Sequence, residues 1–217
     1  MTETITPTGR TQVRRVPDRG RYDADVVHRI LDDALFCHVG FIAGAHPVVI
    51  PTIHARHRDR LYVHGSPASR MLRSVKGDAD ICVTVTLVDG LVLARSAFHH
   101  SMNYRSVVVF GAAREVTDVD EKLTAFRAIV DHVMPGRWDD VRAPSDKEIR
   151  STLVLALPLT EVSAKVRTGP PIDDEADYAL PVWAGELPLH TVAGTPLADA
   201  RTPYGAPVPT HVSAWRR

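Results

Sequence analysis

The densest group of side chains that could do chemistry lies between residues 94 and 106. The stretch reads Ala-Arg-Ser-Ala-Phe-His-His-Ser-Met-Asn-Tyr-Arg-Ser and lies between two apolar segments. This position predicts a loop or a bulged strand end, and loops on rigid β scaffolds often carry functional groups. His99 and His100 could transfer a proton near neutral pH, and Arg95 and Arg105 could bind an anion.

Two other interpretations apply to the same stretch. Together with His54, His57 or His64 its histidines could bind zinc, but the chain has no HExxH motif and no pair of closely spaced cysteines. We therefore predict no metal site. Taken alone, the stretch also fits a polar loop that packs on itself. If it binds an aromatic anion instead, Tyr104 would supply a flat wall.

A second candidate site is the segment 61–72, Leu-Tyr-Val-His-Gly-Ser-Pro-Ala-Ser-Arg-Met-Leu. The pattern predicts a strand that ends at His64-Gly65, followed by a helix with Ser66 as N-cap and Pro67 in the first turn. The free N–H groups of a helix start, together with the hydroxyl of Ser69 and the guanidinium of Arg70, suit a phosphate. A capped helix with a solvated arginine fits the same spacing.

The third candidate lies near the end of the last predicted strand. Lys165 and Arg167 alternate along this strand, so both are expected on one side. They could form a charged edge that prevents aggregation, or they could add cations near a phosphate. Trp183 could stack on a ligand, although tryptophan more often anchors a core or an interface.

Composition limits the protein class. The 217 residues contain 26 Lys plus Arg and 26 Asp plus Glu, so no overall charge favours nucleic acid. The sequence has no apolar run of membrane-spanning length and no apolar signal segment at its start. The two cysteines, Cys37 and Cys82, are typical of small buried side chains in a reducing compartment. We therefore expect a cytoplasmic protein.

The elements that position these groups are mostly short strands. Strands are predicted over 36–43, 47–55, 60–64, 81–88, 106–110 and 152–159, with a hairpin turn at Asp89-Gly90. One helix begins after Asp23, and a second begins after Asp118 or Asp120 and ends at Pro135-Gly136. The βαβ alternation, the GxGxxG motif and the P-loop are absent, so the pattern favours a barrel.

The predicted organisation has three parts. Residues 1–20 form an arm, residues 21–168 form the β-rich domain, and residues 169–217 form a proline-rich C-terminal extension. Eight of the 16 prolines fall in this extension, which therefore cannot easily form central strands. We expect it to wrap around its own subunit or a neighbour.

Taken together, these segments resemble the FMN-binding split-barrel superfamily, in the branch of pyridoxamine 5′-phosphate oxidase and the nitroimidazole-resistance proteins. The resemblance covers roughly residues 28–185. The segments that carry it are Asp23–Leu31, His38-Val39-Gly40, Pro47–Thr52, Leu61–Gly65, Cys82–Thr86, Asp89–Ser96, His99–Val108 and Lys165–Pro171.

The resemblance implies a mainly β, α+β fold, namely a six-stranded antiparallel split β-barrel with peripheral helices. It also implies a homodimer that binds FMN at the subunit interface. Pro51 and Thr52 would lie beside the flavin ring, and the segment 64–70 would meet the phosphate. The implied cofactor-binding residues are Pro51, Thr52, His64, Gly65, Ser66, Ser69, Arg70, Arg95, Tyr104, Arg105 and Ser106.

The implied function is a flavin-dependent oxidoreductase that acts on an unidentified small molecule. Arg95 or Arg105 would stabilise the reduced ring, and His99 or His100 would give a proton to the substrate. The Arg-rich C-terminal motif of the vitamin B6 oxidases is missing, so oxidation of pyridoxamine phosphate is not expected. Alternatives are a flavin-storage module, or a split barrel that uses haem or deazaflavin in place of FMN.

Overall fold

The computed structural model describes residues 3–75, 79–203 and 205–216. The helices are α1 (Ala24–Asp33), α2 (Arg70–Ser74), α3 (Val119–Val133), α4 (Asp146–Ser151) and α5 (Thr210–Ser213). The strands are β1 (Gly20–Arg21), β2 (Cys37–Ala43), β3 (His46–Thr52), β4 (His54–His57), β5 (Arg60–Gly65), β6 (Asp80–Leu93), β7 (Ser101–Ala112), β8 (Arg114–Glu115), β9 (Leu153–Pro158), β10 (Glu161–Arg167) and β11 (Gly185–Pro188).

The strands form two antiparallel sheets. In the first sheet the order is β1-β10-β7-β6-β2-β3, and β11 pairs with β6 beyond the end of β2. In the second sheet the order is β4-β5-β9-β8. The predicted mainly β, α+β class is confirmed. The strand number differs from the predicted six, because the first sheet alone has seven strands and the second adds four.

The hydrophobic core lies between the two sheets and α1. Val39, Val83 and Val107 enter it from the first sheet, and Leu61 and Leu155 enter it from the second. Along β6 buried and less buried residues alternate, as expected for a strand with one face on a core. A second, smaller cluster packs the outer face of the second sheet against α3. The second sheet is therefore covered on both faces.

Two histidines fix the end of α1. As predicted, the helix begins after Asp23. Near its end, the carbonyl of Leu31 accepts a hydrogen bond from His54 Nε2 at 2.9 Å, and the carbonyl of Ala34 accepts one from His132 Nε2 at 2.8 Å. The two imidazole rings lie 4.7 Å apart. Because His54 lies on β4 and His132 on α3, these contacts hold three elements together.

The hairpin turn predicted at Asp89-Gly90 is wrong. Strand β6 continues to Leu93 with an irregular register between Val88 and Gly90, and the chain reverses over residues 94–100. Gly90 allows the backbone of β11 to pack closely against β6, because a Cβ atom at this position would lie 3.0 Å from the carbonyl oxygen of Leu187. The His-rich stretch therefore includes the connection between the two longest strands.

The C-terminal extension contributes one strand and one short helix. After β11 the backbone is irregular, and α5 then packs beside α3, where Trp215 Nε1 donates a hydrogen bond to the carbonyl of Val133 at 3.3 Å. We call residues 189–209 the strap. None of the helices in the described ranges is long and apolar enough to cross a bilayer. The division of the chain at residues 20 and 168 stays a prediction.

Candidate functional site

The segment 64–70 forms a strand end, a turn and a helix start, but the helix starts later than predicted. Ser66 opens a turn in which its carbonyl accepts from the amide of Ser69 at 2.8 Å, and α2 begins at Arg70 with Ser69 as N-cap. The prediction of Ser66 as N-cap is therefore wrong. Proline at the second position of a four-residue turn explains this, since its fixed φ suits that position.

Arg70 is the cation of this segment that is free to bind an anion. Its side chain is exposed, and within the described part of the chain it has no carboxylate or hydrogen-bond partner. Ser66 is also exposed, and its Oγ accepts only the amide of Ala68, at 3.2 Å. The arrangement can therefore bind a phosphate without first breaking an ion pair.

Pro51 and Thr52 lie at the same end of the fold as this segment. His54 on β4 pairs with Val63 on β5, so the residues two before His54 and two after Val63 reach the same end of the second sheet. These residues are Thr52 and Gly65. Strand β3 is an edge strand, and Pro51 is exposed on it. The structure thus groups Pro51 and Thr52 with the segment 64–70.

The structure separates this group from Tyr104, Arg105 and Ser106. These three residues lie on β7, which is separated from β3 by β6 and β2. At about 4.8 Å per strand, the three steps amount to about 14 Å. A single copy of the chain therefore does not bring the two groups of predicted cofactor-binding residues into contact.

Arg105 is bound by two carboxylates. Its guanidinium donates to Asp89 at 2.9 Å and to Asp33 at 2.5 Å. Hydrogen bonds from Arg105 to Asp89 and Asp33 raise the pKa of its guanidinium despite partial burial. Next to it, the hydroxyl of Ser106 donates to the carbonyl of Lys165 at 3.3 Å. Arg105 is thus already neutralised within the chain, unlike Arg70.

The loop 94–100 binds the start of the C-terminal extension. The backbone amide and Nη1 of Arg95 each donate to Asp173 at 3.0 Å, and the guanidinium lies 4.9 Å from the ring centre of Tyr178. His99 Nε2 lies 3.3 Å from a carboxylate oxygen of Asp174. His100 Nδ1 donates to the carbonyl of Ser96 at 2.9 Å. The polar groups of this loop are therefore largely engaged with the protein.

Arg167 is a buried connector and does not form a charged edge with Lys165. Only 7 % of the residue is exposed, and its guanidinium donates to Asn103 and to the carbonyls of Gly169 and Pro170. Burial lowers the pKa of this guanidinium. Asn103 in turn donates to Glu186 on β11. The cluster fixes β10, β7 and β11 together, so of the two interpretations of Lys165 and Arg167 the charged edge is contradicted for Arg167.

His64 lines a pocket that the sequence analysis did not identify. Its imidazole lies on the face of β5 that packs against α3, and the pocket measures about 440 Å³. Nδ1 is buried without a hydrogen-bond partner among the described residues, and burial lowers the pKa of the ring. The remaining lining residues are mostly apolar, namely Phe126, Ile129, Val130, Trp138, Val141, Arg142, Pro144, Glu148 and Thr152.

One sequence signal could have indicated this pocket. The apolar face of α3 does not end with the helix, because Trp138 and Val141 follow within eight residues of Val133. Val141 is 39 % exposed. Within α3 itself, only Ala125 and Ile129 are buried. A helix whose apolar residues outnumber its buried positions indicates an exposed apolar surface.

Comparison with known proteins shows the family of this chain. The family model described as pyridoxamine 5′-phosphate oxidase matches residues 23–166. The chain belongs to this family. No curated protein matched it significantly.

Solved structures of this split-barrel family include two that cover nearly the whole chain. The flavocytochrome Anf3 from Azotobacter vinelandii is 42 % identical, covers 98 % of this chain and 99 % of its own, and has a TM-score of 0.91. The FAD and heme binding protein from Mycobacterium smegmatis is 34 % identical over 91 % of this chain and 97 % of its own, with a TM-score of 0.87.

A third relative confirms the branch predicted from the sequence. A putative 5-nitroimidazole antibiotic resistance protein from Bacteroides thetaiotaomicron is 25 % identical over 68 % of this chain and 86 % of its own, with a TM-score of 0.57. Within the pyridoxamine 5′-phosphate oxidase family, the flavocytochrome Anf3 matches the C-terminal extension as well, because it covers 98 % of this chain. The strap is therefore part of the fold that this chain shares with Anf3.

Proposed function

We propose that the chain is a flavin- and haem-binding redox protein that works as a homodimer. Its two nearly full-length relatives are a flavocytochrome and a protein that binds FAD and heme. In this chain the observation that carries the proposal is the position of His64, whose imidazole lines a mostly apolar pocket; its buried Nδ1 has no hydrogen-bond partner among the described residues. An imidazole nitrogen is a common haem ligand.

The His64 pocket has the properties that a haem requires of a protein. Burial lowers the pKa of His64, so the ring is neutral at pH 7 and can bind iron without first losing a proton. Phe126, Val130 and Trp138 supply apolar and aromatic walls for the macrocycle. The volume of about 440 Å³ lies within the usual range of small-molecule pockets.

The flavin is assigned to the group formed by Pro51, Thr52 and residues 65–70, since His64 is assigned to the haem. Arg70 and Ser66 would bind its phosphate, and the exposed edge strand β3 would lie beside the ring. Because Tyr104 and Ser106 lie about 14 Å away within one copy, they reach this group only from a second copy. Both FMN and FAD carry the phosphate that Arg70 would bind, so the proposal is a flavin, with FMN as the form implied by the sequence.

The two groups would supply different redox chemistry, the flavin exchanging two electrons and the haem one at a time. The protein would position them and tune their surroundings. His99 and His100 remain proposed proton donors to a small-molecule substrate, and their place in the loop 94–100 leaves His100 exposed for that role.

The test is reconstitution of the purified protein with flavin and with haemin, followed by absorption spectroscopy. We expect a retained flavin spectrum and a Soret band, and we expect His64→Ala to lose the Soret band while keeping the flavin. His100→Ala is the matched control, because it removes an exposed histidine from the same chain. A Soret band of unchanged position and intensity in His64→Ala would refute the haem assignment.

A colourless protein that takes up neither flavin nor haem would refute the whole proposal. A single near-ultraviolet to violet band would instead indicate a deazaflavin. The oligomeric state, measured by sedimentation, tests the homodimer separately from both cofactors.

A further inference from the structure

The strap is anchored to its own subunit at both ends. At its start, β11 pairs with β6, and the amide of Leu189 donates to the carbonyl of Asp89 at 3.0 Å. Beyond its end, Trp215 donates to the carbonyl of Val133, and His211 Nε2 lies 3.5 Å from a carboxylate oxygen of Asp140. The strap therefore connects the edge of the first sheet with the C-terminal end of α3.

Between these anchors the strap lies exposed on the surface of its own subunit. Each described residue from 190 to 208 is exposed, and the hydrogen bonds of the Arg201, Thr202 and Ala206 amides stay within the strap. Val192 is 82 % exposed and Leu197 is 93 % exposed. Because burying such apolar side chains is favourable, Val192 and Leu197 supply contacts for a molecule that covers the strap.

The composition of the strap fits a protein interface. Its 21 residues include only two charged side chains, Asp199 and Arg201, apart from the single histidine His190. Interface cores are depleted of charge in the same way. Four prolines within the strap, Pro196, Pro203, Pro207 and Pro209, restrict its backbone and lower the entropy lost when it binds.

Two observations indicate that the covering molecule is a second copy of this chain. The first is that the predicted flavin-binding residues fall into two groups that one copy keeps about 14 Å apart, so the site is complete only between copies. The second is that the flavocytochrome relative aligns over 98 % of this chain, strap included, at a TM-score of 0.91. The path of the strap is therefore shared by two chains that differ at more than half of their residues.

We propose that the strap of each copy lies across the other copy, burying Val192 and Leu197, and that it helps to close the flavin site between the two subunits. The proposal rests on the homodimer in the proposed function and adds the element that holds it together. In a two-fold symmetric dimer both straps would make the same contact, which doubles the contribution of each residue.

Limited trypsin digestion tests the position of the strap without any substitution. Arg201 is the one Lys or Arg between residues 189 and 209, so cleavage after it reports on the strap alone. We expect the dimer to resist cleavage there, at a rate roughly tenfold or more below that of a strap that has lost its contact. Rapid cleavage after Arg201 in a protein that sediments as a dimer would overturn the proposal.

A pair of double variants supplies the comparison. Val192→Asp with Leu197→Asp should expose Arg201 to trypsin and shift sedimentation towards the monomer. Thr195→Asp with Thr202→Asp places the same charges on exposed polar positions of the strap and should do neither. Equal effects of the two variants, or a wild-type monomer, would contradict the proposal. The flavin and haem spectra of the same samples test the cofactor assignment separately from the position of the strap.

Discussion

The guanidinium of Arg95 lies 3.0 Å from the buried carboxylate of Asp173, and the backbone amide of Arg95 donates to the same side chain. This contact joins the hairpin between β6 and β7 to the start of the C-terminal extension. Burial raises the pKa of the Asp173 carboxyl, but the hydrogen bonds from Arg95 outweigh that effect and leave the pKa below its ordinary value. Arg95 therefore has a structural partner before any ligand binds.

Removing this contact should destabilise the fold. Arg95→Leu leaves Asp173 buried without its cation, so we expect the melting temperature to fall, as measured by differential scanning calorimetry. Arg14→Leu, which removes an exposed arginine from the N-terminal arm, is the control. If Arg95→Leu melts like the wild type but loses flavin, Arg95 binds the cofactor, as the sequence suggested.

Arg70 should bind the flavin phosphate. Loss of one charge-assisted contact costs about 1.5–3 kcal/mol, so Arg70→Ala should weaken flavin binding roughly tenfold to a hundredfold. Fluorescence titration measures this, because flavin emission changes on binding. Arg150→Ala removes an exposed arginine from α4 and should leave the dissociation constant unchanged. An unchanged constant in Arg70→Ala would remove this residue from the site.

The apoprotein should lose stability as the pH falls below 6.5. The folded-state pKa of His64 lies below its ordinary value, so the unfolded chain binds more protons in this range. The free energy of unfolding therefore decreases from pH 6.5 down to the folded-state pKa. Denaturant titrations at several pH values should show a shallower decrease for His64→Leu than for the wild type. A control, His46→Leu at an exposed position, should keep the wild-type slope.

Gly90 should not tolerate a side chain. In Gly90→Ala the new Cβ would lie 3.0 Å from the backbone oxygen of Leu187, so β11 must shift. Overpacking of this kind costs about 1–3 kcal/mol, and the melting temperature should fall accordingly. Gly9→Ala, in the N-terminal arm, has open space around the new atom and should be neutral or slightly stabilising. A neutral Gly90→Ala would show that β11 is held only loosely.

The class of the fold and the caps of its main helices were predictable because they depend on local pattern. Asp23 and Asp118 precede helices whose apolar residues recur at helical spacing, and both occupy the N-cap position in the structure, although only the side chain of Asp118 accepts a capping hydrogen bond. Asp89-Gly90 misled the prediction, because a glycine needed for close backbone approach has the same local sequence as one in a turn. Only the position of β11, more than 90 residues later, distinguishes the two.

The candidate site was predictable only in part, for a similar reason. The segment 61–72 carries its own strand end, turn and helix start, so its character follows from local sequence. Whether Arg95 and Arg105 are free to bind a ligand depends on their ion pairs with Asp173, Asp89 and Asp33. Tertiary structure brings these carboxylates close to the two arginines. The pocket beside His64 depends on how α3 and the turn at Trp138–Asp140 pack on β5, and no motif records that packing.

The order of the strands has a consequence for synthesis. Strand β9 lies between β5 and β8, and β10 joins β1 to β7, so each sheet needs an internal strand that is made after residue 152. Gly20 pairs with Lys165, a separation that no local hairpin can replace. A nascent chain that has emerged only as far as β8 therefore has two incomplete sheets with exposed edges. Such a chain depends on rapid completion or on a chaperone, and truncation before residue 153 should yield an aggregating fragment and not a smaller domain.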